Sequence, residues 1–365
     1  MAIKRIVCTV TNDLHYDQRM RRICTSLSKA GYEVTLVGRR LPHSPSLSKQ
    51  PYSQKRLFCF FTKGKLFYAE YNLRLFLYLL FISADLFCAI DLDTILPNYF
   101  ASLIRRKKRV YDAHELFCEM EEIVSRPSIY RIWKGIETWA VPRFLQGYTI
   151  GTCYAQAFEK MYGVHYAVVR NATVLQPEPS THQAGEKYIL YQGAVNEGRC
   201  FETLIPAMRH VDCRLLICGE GNFFEQAQQL VKQYQLQDKI QFTGYIEPNT
   251  LRSYTQGAYI GITLFTRQSK SNYLSMANRF FDYMHAGVPQ ICMDFPEYHA
   301  VNQQYEVARL LPDSTEESIT KALQELLQND ELHKRLQANC WQARKEYCWQ
   351  TQENTLLQFY AKQFE

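Results

Sequence analysis

The chain has no apolar run long enough to cross a bilayer, which as a helix takes about 20 residues. Its greasiest segment, LFLYLLFISA at 75–84, spans only ten residues between Arg74 and Asp85. Glycine fingerprints are missing too. Nothing matches GxGxxG after a strand or the GxxxxGK[ST] phosphate loop, which counts against NAD and ATP. Twelve cysteines are present but no CxxC pair, so the chain spells neither a zinc knuckle nor a dithiol redox motif. Scattered through apolar runs, they read as buried thiols of a reducing cytosol, not a disulfide framework. No secretory leader opens the sequence, because Lys4 and Arg5 run straight into a strand pattern. Repeats, low-complexity tracts and nucleic-acid-binding motifs are also lacking.

What is present is a globular composition, 47% apolar over 365 residues, and a length that suits two domains. The net charge of +6 hides a division. Residues 1–170 hold 25 Lys and Arg against 14 Asp and Glu, whereas 171–365 hold 17 against 22. The basic half carries RRKKR (105–109), Lys55–Arg56, Lys63 and Lys65 among many aromatics. Such a surface is either simply solvated or drawn to an anionic partner, such as a membrane face or an anionic acceptor.

Strand and helix patterns alternate throughout, which predicts parallel α/β sheets. KRIVCTVT (4–11) reads as a strand, 17–30 as a helix stopped by Gly31, YEVTLVG (32–38) as a strand and 39–56 as a loop. LFCAI (86–90), RVYD (109–112), YTIGT (148–152) and YAVVR (166–170) continue the strands. Ile129, Ile132, Trp133, Ile136 and Trp139 mark the apolar face of a helix between them. The polar, Pro-containing stretch 171–186 reads as a linker. The alternation then restarts with KYILYQG (187–193), RLLICG (214–219), KIQFTG (239–244), YIGITLF (259–265), PQICM (289–293) and ARLL (308–311). Ser314 and Glu317 have the spacing of a capping box. The division is therefore an N-terminal domain 1–172, a linker 173–186, a C-terminal domain 187–345, and a last helix at 346–365 that packs back on the first domain.

ANRFFDYMHAGVPQI (277–291) is a greasy helix that nonetheless places Asn278, Asp282 and His285 on one face, with Arg279 in its first turn. A cation at the positive end of a helix asks for compensation. YQGAVNEGRC (191–200) and CGEGNF (218–223) both run from strand through glycine to helix, with Arg199 opening the first of these helices. Such turns offer free N–H groups to anions, and Arg adds a bidentate fork for phosphate. A diphosphate held between Arg199 and the Asn278–Arg279 turn would compensate Arg279, with Asp282 one turn on to bind sugar hydroxyls. The spacing equally allows Arg279 and Asp282 to pair with each other.

Together these residues resemble the retaining glycosyltransferases of family 4, which have the GT-B fold of two Rossmann-like domains facing a central cleft. The likeness is strongest from 188 to 296, in ILYQG, LLICGEG, FTGYI and FFDYMHAGVPQI. It implies donor contacts from Gly193, Arg199, Gly219, Gly221, Gly244, Tyr245, Asn278, Arg279 and Asp282. In this reading Asp282 holds the ribose, Arg199 and Arg279 the diphosphate, and the Gly244–Tyr245 backbone the base. YDAHELF (111–117) is similar to the family's strand-then-His segment, so His114 joins Arg199 and Asp282 as a catalytic candidate. TNDLHYDQRMRR (11–22) resembles a subgroup with Asp-x-Arg after the first strand, making Asp17 and Arg19 acceptor-side candidates, and Glu115 beside His114 is a third. The chain departs from the family at Leu274, where a Glu is common, at Asp282 for Glu, and at Cys200 where Gly often stands.

The resemblance implies sugar transfer from a nucleoside-diphosphate donor to a hydroxyl of a saccharide or lipid-linked acceptor, in surface polysaccharide or glycolipid synthesis. It implies no metal and no cofactor, and a cytoplasmic protein peripheral to the inner membrane face. Rival readings are a nucleotide-sugar 2-epimerase of the same plan and a GT-B binding protein without turnover. A tandem-Rossmann dehydrogenase is disfavoured by the missing glycine fingerprint.

Overall fold

A computed structural model describes residues 3–15, 17–178 and 186–365. The chain divides into two compact units, one of Met1–Asn171 with Gln352–Glu365 and one of Ala172–Thr351. We call these unit 1 and unit 2. Residues 171–178 have no regular structure, and the remainder of the expected linker, 179–185, lies outside the described residues.

Unit 1 is built on a seven-stranded sheet. Its strands are β1 (Arg5–Thr9), β2 (Glu33–Arg40), β3 (Ser53–Phe58), β4 (Leu86–Ile90), β5 (Lys108–Ala113), β6 (Gly147–Thr149) and β7 (Ala167–Val168). Their order is β3-β2-β1-β4-β5-β6-β7, and every pairing is parallel. Central β4 is buried at all five positions, as a strand covered on both faces must be, and this is why it reads as an unbroken apolar run. Helices α1 (Gln18–Lys29), α2 (Gly64–Phe81) and α3 (Ile95–Arg105) connect β1 to β2, β3 to β4 and β4 to β5.

Two expectations fail in unit 1. Residues 53–56, read as the end of a loop, belong to edge strand β3 (Ser53–Phe58). SQKRLF lacks the apolar signal because one edge and one face meet water, and charge on an edge strand blocks further pairing. The expected apolar face of the Pro127–Ala140 helix faces inward only in part: Ile129, Trp133 and Ile136 are half-buried, with Trp133 against Phe117 and Tyr68. Ile132 is 51% and Trp139 37% exposed, while Glu137 and Ala140 are buried. Glu137 is taken inward because Lys134 donates to it at 2.7 Å and the Tyr162 hydroxyl donates as well. Burial of a carboxylate is tolerated when it is paired in this way. Residues Gln352–Glu365 close unit 1, burying Leu356 and Tyr360 completely and setting the Tyr360 hydroxyl 3.3 Å from that of Tyr148.

Unit 2 repeats the plan with six parallel strands. They are β8 (Tyr188–Gln192), β9 (Arg214–Cys218), β10 (Ile240–Gly244), β11 (Ile260–Thr263), β12 (Gln290–Met293) and β13 (Ala308–Leu311), ordered β10-β9-β8-β11-β12-β13. The Glu316–Gln328 helix is capped one residue later than the capping-box spacing suggested. Thr315, not Ser314, accepts from the Ser318 N–H, and Asp313 fixes the Thr315 hydroxyl at 2.6 Å. All twelve cysteines are free thiols, ten of them buried.

Candidate active site

In unit 2 the loops at the C-terminal ends of β8, β9 and β10 interlock. Gly193 N–H donates to Cys218 O and Gly219 N–H to Gly244 O, each at 2.9 Å, and Val195 N–H reaches Glu220 O. Gly219 has φ +147°, and a Cβ there would sit 1.9 Å from the Gly193 carbonyl oxygen, so only glycine lets the two turns meet. Gly221 lies in the same turn, packed against the backbone of Val195. Beside Gly244, the Tyr245 N–H points to Glu220 Oε1 at 3.3 Å, and the Tyr245 ring is half exposed.

The Asn278–His285 helix presents its first turn to this junction. Asn278 is exposed and Arg279 is buried, with Arg279 Nη1 donating to Gln192 O at 3.0 Å. The Arg279 guanidinium lies 4.6 Å from the Tyr191 ring centre and 4.8 Å from that of Phe265. Arg199 approaches the same Phe265 ring at 4.3 Å. Two guanidiniums therefore share one aromatic ring, each gaining a cation–π contact but repelling the other. Among the described residues, Arg279 Nε is buried without a hydrogen-bond partner. A buried cation left short of partners costs several kcal/mol unless an anion arrives. This arrangement can hold a polyanion.

Arg279 and Asp282 do not turn to each other, despite their spacing. Asp282 Oδ1 accepts from the Thr173 hydroxyl at 2.6 Å and Oδ2 from Gln192 Nε2 at 3.1 Å. Gln192 also accepts from the Thr255 hydroxyl at 2.7 Å, so its amide is fully oriented. Sequence reading missed Thr173, Gln192 and Phe265. Only Gln192, a polar residue ending an otherwise apolar strand, carried a usable signal. The supposed shared face of Asn278, Asp282 and His285 runs from solvent into the core. His285 is buried against Tyr347 O at 2.9 Å, and burial, with help from Arg344, lowers its pKa to about 4. It is a neutral structural histidine.

The three departures from the family pattern have local consequences. Cys200 has φ +59°, the left-handed conformation that glycine takes freely and cysteine takes at a cost of about 1–2 kcal/mol. Leu274 ends the short Lys270–Leu274 helix and is half buried. The shorter carboxylate of Asp282 already reaches two partners.

In unit 1 a second cluster of polar groups forms where β1, β4 and β5 end. Arg19 on α1 is buried with each of its nitrogens engaged. Nη2 donates to Asp112 Oδ1 at 2.9 Å, Nη1 to Val169 O at 3.0 Å, and Nε lies 2.7 Å from His114 Nε2. The same His114 nitrogen is 3.0 Å from Asp112 Oδ2. It accepts from the guanidinium when neutral and donates to the carboxylate when protonated, so the cluster is wired for a proton change. Burial works against the His114 charge, but Asp112 and Asp91 outweigh it and raise the pKa. Asp112 lies below its usual range, because Arg19 and His114 overcome its burial.

Asp91, unnoticed in the sequence, completes the cluster. Its Oδ1 accepts from the His114 N–H at 2.8 Å, and Oδ2 lies 3.5 Å from Nδ1. Its φ of +55° is a strained conformation worth about 1–3 kcal/mol, of the kind that functional sites hold. Burial raises its pKa to about 7 and that of neighbouring Asp93 to about 6, with Thr11 donating to Asp93. Asp17 has a local job: it caps α1 through Met20 N–H and accepts from Asn12. Arg19 is taken up in orienting Asp112 and His114, and Glu115 is exposed. Among the described residues, no group of three His, Cys, Asp or Glu side chains is arranged to hold a metal ion.

The architecture is shared with solved structures at low identity. Sucrose-phosphate synthase from Thermosynechococcus elongatus superposes with a TM-score of 0.84 at 17% identity, covering 99% of both chains. HepE from Anabaena, solved with UDP-glucose, gives 0.75 at 12% identity over 98% of this chain and 99% of its own. WaaG, a glycosyltransferase of lipopolysaccharide biosynthesis, gives 0.71 at 12% over 96% and 98%. At such identities the likeness establishes the fold, which is GT-B. A sequence search of curated proteins returned no match. Residues 175–342, which carry the glycine turns, both arginines and Asp282, match the family of glycosyl transferases group 1.

Proposed function

We propose that this protein is a retaining glycosyltransferase that moves a sugar from a nucleoside-diphosphate sugar to a hydroxyl of a saccharide or lipid-linked acceptor. The observation that carries this reading is the pair of guanidiniums, Arg199 and Arg279, that share the Phe265 ring, next to the glycine turns and the start of the Asn278–His285 helix. In this reading the diphosphate sits against both arginines. They neutralise charge that grows on it as the bond from the anomeric carbon to phosphate oxygen breaks. The acceptor oxygen bonds to that carbon on the same face, and its proton passes to the departing phosphate oxygen. Asp282 takes hydrogen bonds from the ribose hydroxyls, replacing those from Thr173 and Gln192. The acceptor-side assignment falls on His114, held by Arg19, Asp112 and Asp91. The work of a divalent ion is given to the arginines, and no resident cofactor enters the reading.

Calorimetric titration with UDP, GDP, ADP, dTDP and NAD tests it. One diphosphate should bind, and Arg199→Ala should weaken it about 10- to 100-fold, the equivalent of one charge-assisted hydrogen bond. Binding of NAD alone, or diphosphate affinity unchanged in both Arg199→Ala and Asp282→Ala, would overturn the proposal.

A further inference from the structure

The basic run at 105–109 is divided by the fold. Arg105 turns to the end of α2 and donates to Leu79 O at 2.7 Å, while Arg106 takes the left-handed conformation, φ +51°, that ends α3. Lys107, Lys108 and Arg109 lead the other way, to the N-terminal end of β5. There they meet two segments distant in the chain. Arg143 arrives from just before β6, and Lys362 and Gln363 from the segment that closes unit 1. Together they line a furrow of about 590 Å³, the size of a small-molecule site.

Five cations line this furrow, and among the described residues no carboxylate does. Of the five, Lys107 alone has a described acidic partner, Asp85 at 3.4 Å. The arginines are set in place by groups that leave their charge intact. Arg109 Nε donates to Arg143 O at 2.9 Å, and its guanidinium lies 4.9 Å from the Tyr99 ring centre. Arg143 donates to Trp139 O and lies 4.4 Å from the Trp139 ring centre. Lys108 donates to Gln363 O, and Lys362 is exposed. Carbonyls and aromatic faces orient a cation without neutralising it, so the gathered charges repel one another.

A merely solvated basic surface would show a local run of charge spread over a face. Here three separate segments converge on one concavity. Two guanidinium forks suit phosphate oxygens, and the flanking ammonium groups add point charges around them. A ligand bearing several negative charges within a short length would relieve the repulsion. The cations stand on the walls of a furrow, so that ligand must enter it, whereas a flat layer of headgroups would meet only the rim.

We infer that this furrow of unit 1 binds a soluble polyphosphate, the chemistry shared by inorganic triphosphate and a nucleoside triphosphate. It is distinct from the groups assigned to sugar transfer. The donor residues belong to unit 2, and His114 follows the opposite end of β5, about 20 Å away along six residues of strand.

The test is calorimetric titration of the full chain with sodium triphosphate and with ATP, in magnesium-free buffer. Triphosphate should bind, and Arg143→Gln/Lys362→Glu should weaken it about tenfold or more. Both side chains are exposed, so circular dichroism should be unchanged. Lys362→Ser, a milder variant, should weaken binding roughly threefold. Arg199→Ala, which disables the proposed donor site, should leave this binding in place. ATP binding that is tighter than triphosphate and equally lost in the double variant would identify a nucleoside triphosphate as the occupant. Equal affinities would identify the phosphate chain alone. No triphosphate binding, full binding by the folded double variant, or loss of binding in Arg199→Ala alone would overturn the inference. So would retention on phosphatidylglycerol vesicles that the double variant loses, in a chain that ignores triphosphate.

Discussion

Lowering the pH from 7 to 5 should weaken unit 2 by about 2 kcal/mol through one residue, His285. The imidazole is 9% exposed, its Nε2 is bonded to Tyr347 O, and the carbonyl of its own residue accepts from Arg344. Burial, then the nearby guanidinium, make a second proton expensive, so the folded pKa falls to about 4. In the unfolded chain the same group titrates near 6.5. Below that pH the unfolded state takes up a proton that the fold refuses, so stability falls as pH falls, until the folded pKa is passed.

Integrating from pH 7 to 5 gives about 2 kcal/mol, which for a unit of this size lowers Tm by roughly 4–8 °C. Hydrogen-exchange mass spectrometry would read it locally, in peptides covering 278–286 and 330–346. His285→Gln keeps a donor for Tyr347 O and cannot titrate. It should abolish the pH dependence of exchange in those peptides. If the wild-type peptides, corrected for intrinsic rates, are equally protected at pH 5 and 7, or if the Gln variant loses the same protection, the reasoning is wrong. The consequence reaches the proposed donor site, because His285 pins the C-terminal end of the helix that carries Arg279 and Asp282.

Unit 1 should respond in the opposite sense. Asp91, with a folded pKa of about 7 against roughly 3.9 unfolded, holds a proton that the unfolded chain has released, and His114 is raised too. Unit 1 is therefore stabilised by acidification from pH 8 to 6, and Asp91→Asn should reduce that gain in exchange protection of 108–114. Gly219→Ala should destabilise unit 2 by about 3 kcal/mol or more, since its Cβ meets the Gly193 carbonyl at 1.9 Å. Gly135→Ala, on a helix with nothing within 4 Å of the new Cβ, should stabilise unit 1 by about 0.5–1 kcal/mol. Urea denaturation of the two variants checks both, and a stabilised Gly219→Ala would show that the two turns are not tightly packed.

Much of the architecture could be read directly from residue order. A strand covered on both faces leaves no polar alternation, so LFCAI announced itself as β4 to the residue. Glycine at a strand end and arginine at the next helix start were equally plain, because turn geometry and anion chemistry each demand a residue type at a short spacing. Local signals failed where a residue's environment is asymmetric. β3 is polar because it is an edge, and the Pro127–Ala140 helix buries Glu137 while leaving Ile132 in water.

The sequence by itself therefore determined the alternating α/β plan and named Arg199, Arg279, Asp282 and His114 as candidates. Only the tertiary structure decided how they are held. Asp282 turns to Thr173 and Gln192, about 90 to 110 positions away in the chain, rather than to Arg279 three positions back. Arg19 crosses 93 positions to reach Asp112, and Asp91 meets His114 from the neighbouring strand. Such pairings depend on strand order and on which groups lose water together, and neither is written in the spacing of residues along one element.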